Sequence, residues 1–366
     1  MISTNHSFSP ECLTISLGPD CNLNCLYCFS KKDKTKEYTI LNETDFVKSV
    51  SKAADLVAAN CREKNIPFYL GFQGSGEPLM YFHKLKKTYE RVERVVRKNH
   101  LRLFAFITSN GCLEREKYQW VAERFHRICL SIDGHEKLND SLRRTKDKKG
   151  TYGHIVDTID LLKQNHKTPM VRTTVTRHNV NQLVPIVRHF IKDLKLVDIQ
   201  VEPVYRTSSK DGLAPLPDVF VENYLKAKKL AADSGANLHY SGYRKDEKHS
   251  VYCTINKNVL FIGPNGNASM CLFRDNEPKE SPFAIGHYDI QNDRFIIDEQ
   301  KIEKLKKITQ RLYHDCKDCE IVDSCVKGCP DVCIIEKDVH DPIKESLRCK
   351  INRLLYQKEI GHANDS

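Results

Sequence analysis

The chain alternates between two kinds of segment, and this alternation constrains its fold more than any other feature. Six short apolar runs are rich in β-forming residues, and each is followed by a longer stretch with apolar residues at helical spacing. The runs are residues 12–17, 68–72, 101–108, 127–132, 170–176 and 198–204, and the helical stretches are residues 43–60, 81–98, 114–125, 152–165, 181–194 and 218–234. Six such units predict an α/β fold with a parallel sheet and right-handed crossovers. A partial TIM-type (β/α)6 barrel and an open doubly wound sheet both fit, and in both the chemistry is expected at the C-terminal ends of the strands.

The alternation stops near residue 235, and the rest of the chain has a different character. Residues 236–366 are rich in loops and in cysteine, with a hairpin predicted over residues 259–269 and a helix over residues 299–313. A segment with so small an apolar core needs further stabilisation, which bound metal clusters would provide. We therefore predict two domains, residues 1–235 and residues 236–366.

Composition excludes several classes of protein. With 40% hydrophobic and 29% charged residues the chain is typical of soluble globular proteins. No apolar run reaches the roughly 20 residues that span a bilayer, and the polar N-terminus lacks a secretory pattern, so we expect a cytoplasmic protein without membrane association. The net charge is +10, and its basic runs are expected to be solvated surface that could attract an acidic substrate. Basic and aromatic residues are not interleaved, so nucleic-acid binding is not predicted.

Fifteen cysteines in a cytoplasmic chain favour metal ligation over disulfides. Cys21, Cys25 and Cys28 form a C-x3-C-x2-C pattern directly after the first predicted strand. Three thiolates at this spacing can hold three irons of a 4Fe–4S cluster and leave the fourth iron open to a chelating ligand. A zinc site and a set of buried thiols are the alternatives. Zinc would need a fourth ligand nearby, and neither His nor Cys follows before Cys61.

Residues 20–29, Asp-Cys-Asn-Leu-Asn-Cys-Leu-Tyr-Cys-Phe, resemble the signature loop of the radical S-adenosylmethionine (SAM) superfamily. In that family the cluster reduces SAM to methionine and a 5′-deoxyadenosyl radical, which abstracts a hydrogen atom from the substrate. The resemblance implies that Cys21, Cys25 and Cys28 bind the cluster. It also implies that Tyr27 lies beside the adenine of SAM.

A glycine-rich stretch after the second strand strengthens this resemblance. Residues 74–78, Gly-Ser-Gly-Glu-Pro, resemble the family's G-G-E-P segment, with Ser75 in place of a glycine. In the family this segment binds the SAM amino group, which implies that role for Gly76 and Glu77. By itself the stretch would indicate only a tight turn, since it fits no phosphate-binding loop.

Further matches follow the third and fourth strands. Residues 108–111, Thr-Ser-Asn-Gly, are similar to the family's T-N-G turn and contain Asn110. In related enzymes the residues corresponding to Ser131 and Arg143 face the SAM carboxylate, and that corresponding to Asp133 faces the ribose. The planar guanidinium of arginine suits a carboxylate because it donates two parallel hydrogen bonds.

Seven cysteines and one glycine of the C-terminal region form a pattern of defined spacing: Cys253, Gly266, Cys271, Cys316, Cys319, Cys325, Cys329 and Cys349. This pattern resembles the SPASM domain, which holds two auxiliary 4Fe–4S clusters. The resemblance assigns one cluster to Cys316, Cys319, Cys325 and Cys349, and the other to Cys253, Cys271 and Cys329. For the second cluster Cys333 is the candidate fourth ligand; an iron left open for substrate and a free thiol that donates a hydrogen atom are the alternatives. Zinc bound by these cysteines is the competing interpretation.

Four cysteines match neither pattern: Cys12, Cys61, Cys112 and Cys129. Cys12 and Cys129 lie in predicted strands, and we expect them to be small buried hydrophobic residues.

The resemblance predicts a radical SAM peptide or protein maturase with three 4Fe–4S clusters and SAM. The best-known SPASM members modify ribosomally made polypeptides by oxidation, crosslinking or epimerisation, and an auxiliary cluster can accept the electron that a substrate radical must lose. The partners expected are a precursor peptide or protein and a reducing partner such as flavodoxin or ferredoxin. By position, Cys333, Glu202, Tyr205 and Asp275 are candidates for the catalytic base or hydrogen donor.

Three other functions compete with this prediction. An anaerobic sulfatase maturase, which forms formylglycine, fits the C-terminal cysteine spacing. Such enzymes carry Asp directly after the cysteine that matches Cys271, whereas this chain has Leu272. A non-catalytic iron–sulfur electron carrier would bind clusters without a SAM pocket. An enzyme acting on a carbohydrate or a cofactor is the third alternative.

Overall fold

The computed structural model describes residues 8–30, 39–205, 212–243, 258–314, 316–323, 325 and 346–364. Its centre is one sheet whose strands are ordered β11-β10-β9-β8-β1-β2-β3-β4-β5-β6-β7. The strands are β1 (Cys12–Ile15), β2 (Phe68–Phe72), β3 (Leu103–Ser109), β4 (Arg127–Ser131), β5 (Met170–Val175), β6 (Asp198–Pro203), β7 (Asn237–His239), β8 (Val259–Ile262), β9 (Ala268–Ser269), β10 (Ala284–Asp289) and β11 (Arg294–Ile297). Strands β1 to β7 are parallel and consecutive in both sequence and space. A doubly wound sheet requires a point at which the strand order reverses, and strands β1 to β7 have none. The first six strand–helix units therefore form a partial barrel.

A layer of helices packs around the sheet. They are α1 (Glu43–Glu63), α2 (Phe82–Lys98), α3 (Arg115–Arg124), α4 (Glu136–Leu142), α5 (Tyr152–Gln164), α6 (Leu183–Lys192), α7 (Pro217–Asp233), α8 (Glu299–His314) and α9 (Leu347–Asn364). All six predicted strands and six predicted helices are present, as are the hairpin β8–β9 and the helix α8. In the described part of the chain, no helix combines the length and apolar character needed to cross a membrane.

The hydrophobic core lies between the sheet and this helical layer. Leu13, Ile15, Leu70 and Leu130 are fully buried members of one large cluster that runs through the molecule. Strands that alternate with helices are covered on their faces, which explains why their sequences are nearly continuous apolar runs. A second, smaller cluster lies under the loop after β1 and consists of Leu23, Cys25, Tyr27, Leu142, Val204 and Leu213.

The sheet continues beyond the predicted domain boundary at residue 235. Strand β8 pairs with β1 in parallel, with Cys12 opposite Val259 and Ile15 opposite Ile262. Strands β9, β10 and β11 then extend the sheet antiparallel. Helix α9 packs against α7, where Glu359 lies 3.4 Å from Lys228 Nζ. The division at residue 235 stays a prediction, and the sheet has strands on both sides of it.

Candidate active site

The loop after β1 carries the C-x3-C-x2-C pattern and is hydrogen-bonded to the last residue of α4 and to the segment that follows it. The amides of Asn24 and Leu26 donate hydrogen bonds to the carbonyls of Arg144 and Leu142, at 2.7 and 2.9 Å. Within the loop, the amide of Leu23 donates to Cys21 Sγ at 3.4 Å. These bonds fix the loop at the C-terminal end of the parallel strands, where the fold predicts the chemistry.

The three thiols of this loop are close neighbours. Cys25 is buried, and Cys21 and Cys28 are partly buried. Burial raises the pKa of the Cys21 thiol to about 11, and the charges of Glu77, Cys25 and Cys28 add to the rise. Without a cation the Cys21 thiol therefore stays protonated at neutral pH; a bound metal would reverse this. Among the described residues, no group of three or more His, Cys, Asp or Glu side chains is arranged to hold a metal ion, so their ligand role stays a prediction.

Glu77 is a buried carboxylate that accepts three hydrogen bonds at this end of the barrel. Its side chain is 2% exposed. The amide of Asn110 donates to Oε2 at 2.7 Å, and the hydroxyl of Ser109 and the amide of Leu79 donate to Oε1 at 2.9 and 3.2 Å. Burial raises the pKa of Glu77 to about 7, although these donors oppose the rise. The carboxylate thus joins the loop after β2 to the end of β3.

Glu77 should make the stability of the cluster-free chain depend on pH. Its pKa of about 7 in the folded chain exceeds the ordinary 4.5, so the folded chain holds this proton more tightly than the unfolded chain. The resulting stabilisation is fully present below the ordinary pKa and is lost as the pH rises through about 7, by roughly 3 kcal/mol. We expect Glu77→Gln to flatten this decline in urea unfolding, and the exposed Glu116→Gln to leave it unchanged. Equal slopes for wild type and Glu77→Gln would contradict the assignment.

Asn110 links the end of β3 to the cysteine loop. Its amide nitrogen donates to Asn22 Oδ1 at 2.7 Å and lies 3.7 Å from Cys21 Sγ. Its side-chain oxygen accepts from the amide of Cys112 at 2.9 Å. The predicted site residue Asn110 therefore reaches the cysteine loop directly.

Tyr27, Asp133 and Arg143 form a buried hydrogen-bonded chain. The hydroxyl of Tyr27 donates to Asp133 Oδ2, and Arg143 Nη1 donates to the Tyr27 hydroxyl at 2.7 Å. The other carboxylate oxygen of Asp133 accepts from the amide of Thr174 at 2.9 Å. Burial holds the pKa of Tyr27 well above its ordinary value, so its hydroxyl keeps its proton. Ser131 is partly buried at the end of β4, two residues before Asp133.

The Arg143 side chain has one unsatisfied hydrogen-bond donor. Its side chain is 6% exposed, and, among the residues the structure describes, its Nε is one of the few buried side-chain nitrogens with no hydrogen-bond partner. A buried donor of this kind costs free energy unless a ligand satisfies it. A carboxylate is the ligand that an arginine side chain binds best, and SAM carries one.

The catalytic candidates on β6 and beyond lie in separate networks. Glu202 Oε1 accepts from Gln200 Nε2 at 2.7 Å and from the amide of Ser241 at 3.0 Å. The hydroxyl of Tyr205 bonds to that of Tyr240, and the Arg348 guanidinium lies 4.6 Å from the centre of the Tyr205 ring. Their catalytic roles stay predictions.

The C-terminal cysteines are described in part. Burial raises the pKa of Cys349 to about 11, and the charges of Cys325, Cys319 and Cys316 raise it further, so these four thiols are neighbours. Asn352, on the next turn of α9, donates to Cys325 Sγ at 3.4 Å. Cys271 is buried after β9. Cys253, Cys329 and Cys333 lie outside the described residues.

Several residues of the site were missed by sequence reasoning. Asn22 and Ser109 stand inside motifs that we quoted, next to predicted residues, and their side chains hold Asn110 and Glu77 in place. Asn139 on α4 accepts from the amide of Asp133 at 3.1 Å. For the first two, a position inside a motif was the available signal; for Asn139 only the fold reveals the contact.

Known proteins resemble this chain in sequence and in fold. Residues 15–188 match the family model of the radical SAM superfamily. The cysteine-type anaerobic sulfatase-maturating enzyme of Clostridium novyi is 22% identical over 343 residues, which cover 85% of each chain.

Solved structures show the same fold across almost the whole chain. Native anSMEcpe with bound AdoMet (SAM) superposes with a TM-score of 0.71 at 18% identity, covering 97% of this chain and 99% of that one. SuiB of Streptococcus suis bound to precursor peptide SuiA has a TM-score of 0.63 at 16% identity, covering 93% and 76%. The partial barrel is therefore that of radical SAM proteins, and a radical SAM protein uses a 4Fe–4S cluster and SAM. Since the match over residues 15–188 contains the cysteine loop, Glu77, Asn110 and Arg143, this part of the chain is a radical SAM domain, and the protein is a radical SAM enzyme.

Proposed function

We propose that the chain is a maturase that modifies a residue of a ribosomally made peptide or protein. The observation that carries this proposal is a single buried site at the end of the barrel that joins the cysteine loop to Glu77, Asn110 and the unpaired Nε of Arg143. The buried Arg143 Nε and the Glu77 carboxylate would receive the polar end of SAM beside the cysteine loop. The relative from Clostridium novyi, a sulfatase-maturating enzyme, and SuiB, solved with a precursor peptide, favour a polypeptide substrate.

In this proposal each side chain has a distinct task toward the bound cofactors. Cys21, Cys25 and Cys28 hold the cluster, and Arg143 donates to the SAM carboxylate. Glu77 accepts from the SAM amino group. When bound, the cluster and SAM supply a 5′-deoxyadenosyl radical that abstracts a hydrogen atom from the substrate.

The remaining side chains keep this polar end in position. Tyr27 holds Arg143 by accepting a hydrogen bond from its Nη1. We assign the ribose side to Asp133, and the carboxylate side also to Ser131. Gly76 is required for close approach, because its φ is +73° and a Cβ there would lie 2.4 Å from the Gly18 carbonyl oxygen.

The C-terminal region is proposed to hold two auxiliary 4Fe–4S clusters, with residues 1–235 as the radical SAM part and residues 236–366 as the auxiliary part. The proximity of Cys316, Cys319, Cys325 and Cys349 supports one of them. The other is assigned to Cys253, Cys271 and Cys329, with Cys333 as candidate fourth ligand. A flavodoxin or ferredoxin is the proposed reducing partner.

Formylglycine formation is the second candidate, favoured by the Clostridium novyi relative. Against it, Leu272 follows Cys271 where those enzymes carry Asp. Mass spectrometry distinguishes formylglycine formation from other peptide modification. The sample is a cysteine-containing sulfatase peptide after incubation with the holoenzyme, SAM and dithionite. We expect no conversion of the cysteine; conversion would establish the sulfatase-maturating activity.

Iron and sulfide analysis after anaerobic reconstitution tests the clusters. We expect about twelve irons per chain in the wild type and about eight in Cys316→Ala/Cys349→Ala. Both proteins should release 5′-deoxyadenosine from SAM under dithionite, because the altered cysteines lie outside the SAM site. A wild-type chain with about four irons would contradict the auxiliary clusters and with them the oxidative chemistry.

A further inference from the structure

Asp275 is a buried carboxylate in the segment after Cys271, and its partners lie in the barrel. It follows a short 3-10 turn, Leu272–Arg274, and is 2% exposed. Ser16, just after β1, donates its hydroxyl to Asp275 Oδ2 at 2.6 Å. Ser75, just after β2, donates its amide to Oδ2 at 2.9 Å and its hydroxyl to Oδ1 at 3.0 Å. The Asp275 carboxylate therefore links the C-terminal region to the segments that follow β1 and β2.

Two glycines lie close to Asp275, at positions where a larger residue would clash with it. Gly74 has a φ of +149°, and a Cβ there would lie 3.1 Å from Asp275 Oδ2 and 2.6 Å from Ser16 Cβ. On the other side, a Cβ on Gly263 would lie 1.5 Å from the Asp275 carbonyl oxygen. Glycines on both sides are thus required for the carboxylate to reach Ser75.

Ser75 stands two residues before Glu77, in the loop proposed to bind SAM. Its hydroxyl exists only because serine replaces the first glycine of the G-G-E-P-like segment. A hydrogen bond to a buried carboxylate is charge-assisted and stronger than a neutral one. A shift of Ser75 would move Glu77 through Gly76, whose own space is limited by the Gly18 carbonyl.

A second contact joins the same turn to the cysteine loop. Phe273 packs edge-to-face on Phe29, with ring centres 4.8 Å apart. Phe29 directly follows Cys28. The turn after Cys271 therefore touches both the loop proposed to bind the cluster and the loop proposed to bind SAM.

We propose that Asp275 is a positioning residue that holds the SAM-binding loop through Ser75, so that SAM affinity depends on the segment that carries Cys271. The proposal rests on the SAM site proposed above. It gives the Ser75 hydroxyl a function, and it offers a role for Asp275 other than that of the substrate base. With three hydrogen bonds already donated to it, the carboxylate is engaged by the barrel.

The test is the kinetics of SAM cleavage by the reconstituted holoenzyme under dithionite, without any peptide. For Asp275→Asn we expect the KM for SAM to rise about tenfold, because the amide cannot accept all three bonds, while kcat at saturating SAM stays within about twofold. Ser75→Ala loses one hydrogen bond and preserves the Asp275 carboxylate, so we expect its KM for SAM to rise about threefold. The double variant should resemble Asp275→Asn, because the two side chains act as one unit.

Glu277→Gln is the matched control. Glu277 lies on the same segment, and its carboxylate pairs with Arg274 at 2.9 Å and accepts from the Ser281 hydroxyl at 2.6 Å, so the KM of this variant for SAM should equal that of the wild type. Iron content should be equal in all variants. An unchanged KM for SAM in both Asp275→Asn and Ser75→Ala would overturn the positioning role, as would additive effects in the double variant. A wild-type holoenzyme that does not cleave SAM would instead overturn the proposed function.

Discussion

Replacing Cys21 by alanine is expected to lower the rate of 5′-deoxyadenosine formation from SAM by roughly a thousandfold or more. The two remaining thiols, Cys25 and Cys28, cannot hold the cluster in the geometry that leaves one iron open to SAM. Iron analysis should fall from about twelve to about eight per chain, because the C-terminal cysteines are unaffected. The measurement is chromatography of 5′-deoxyadenosine after anaerobic incubation with SAM and dithionite.

Cys129→Ala provides the matched control. Cys129 is a buried cysteine on β4 that matches neither cysteine pattern. Its removal should leave both the iron content and SAM cleavage at the wild-type level. Cleavage that survives in Cys21→Ala, or that is lost equally in both variants, would show that the loop after β1 does not carry the reactive cluster.

The second large effect is expected at Arg143. Replacing it by lysine keeps the positive charge but removes the planar fork and its unpaired Nε. We expect the KM for SAM to rise about a hundredfold, which corresponds to about 2.7 kcal/mol of lost binding. SAM titration followed by the electron paramagnetic resonance of the reduced cluster reports the same loss directly.

The neighbouring Arg144→Lys separates this effect from a general change of charge. Arg144 contacts the cysteine loop through its backbone carbonyl, which accepts from Asn24, and a lysine preserves that bond. Its KM for SAM should match the wild type. If Arg143→Lys binds SAM as tightly as Arg144→Lys does, the carboxylate of SAM does not lie against Arg143.

Local sequence determines most of the barrel. Each strand is a short apolar run because helices cover the sheet. Each helix has apolar residues at helical spacing, so the strands and helices could be assigned without tertiary information. The pairing of β8 with β1 could not be predicted, because Val259–Ile262 carries no local signal for a partner so far back in the chain. Strands β10 and β11 and helix α9 were missed for a similar reason, since long-range packing decides their state.

The candidate site shows the same division. Glu77, Asn110 and Arg143 could be predicted because each stands in a motif after a predicted strand. The interaction of the Tyr27 hydroxyl with Asp133 and Arg143 could not, because it depends on how the cysteine loop lies on α4. The contact of Asp275 with Ser75 joins residues 200 positions apart and has no sequence signal at all.

The parallel pairing of β1 with β8 has a consequence for how the chain is made. β1 is synthesised before both of its neighbours, and β8 follows β2 by more than 180 residues. At typical rates of synthesis this delay is roughly 10–40 s. Throughout it β1 is an edge strand with unsatisfied backbone groups and the apolar side chains of Leu13 and Ile15, a template for aggregation. Truncation near residue 235 would make this transient state permanent, so expression of the N-terminal part alone should yield insoluble protein.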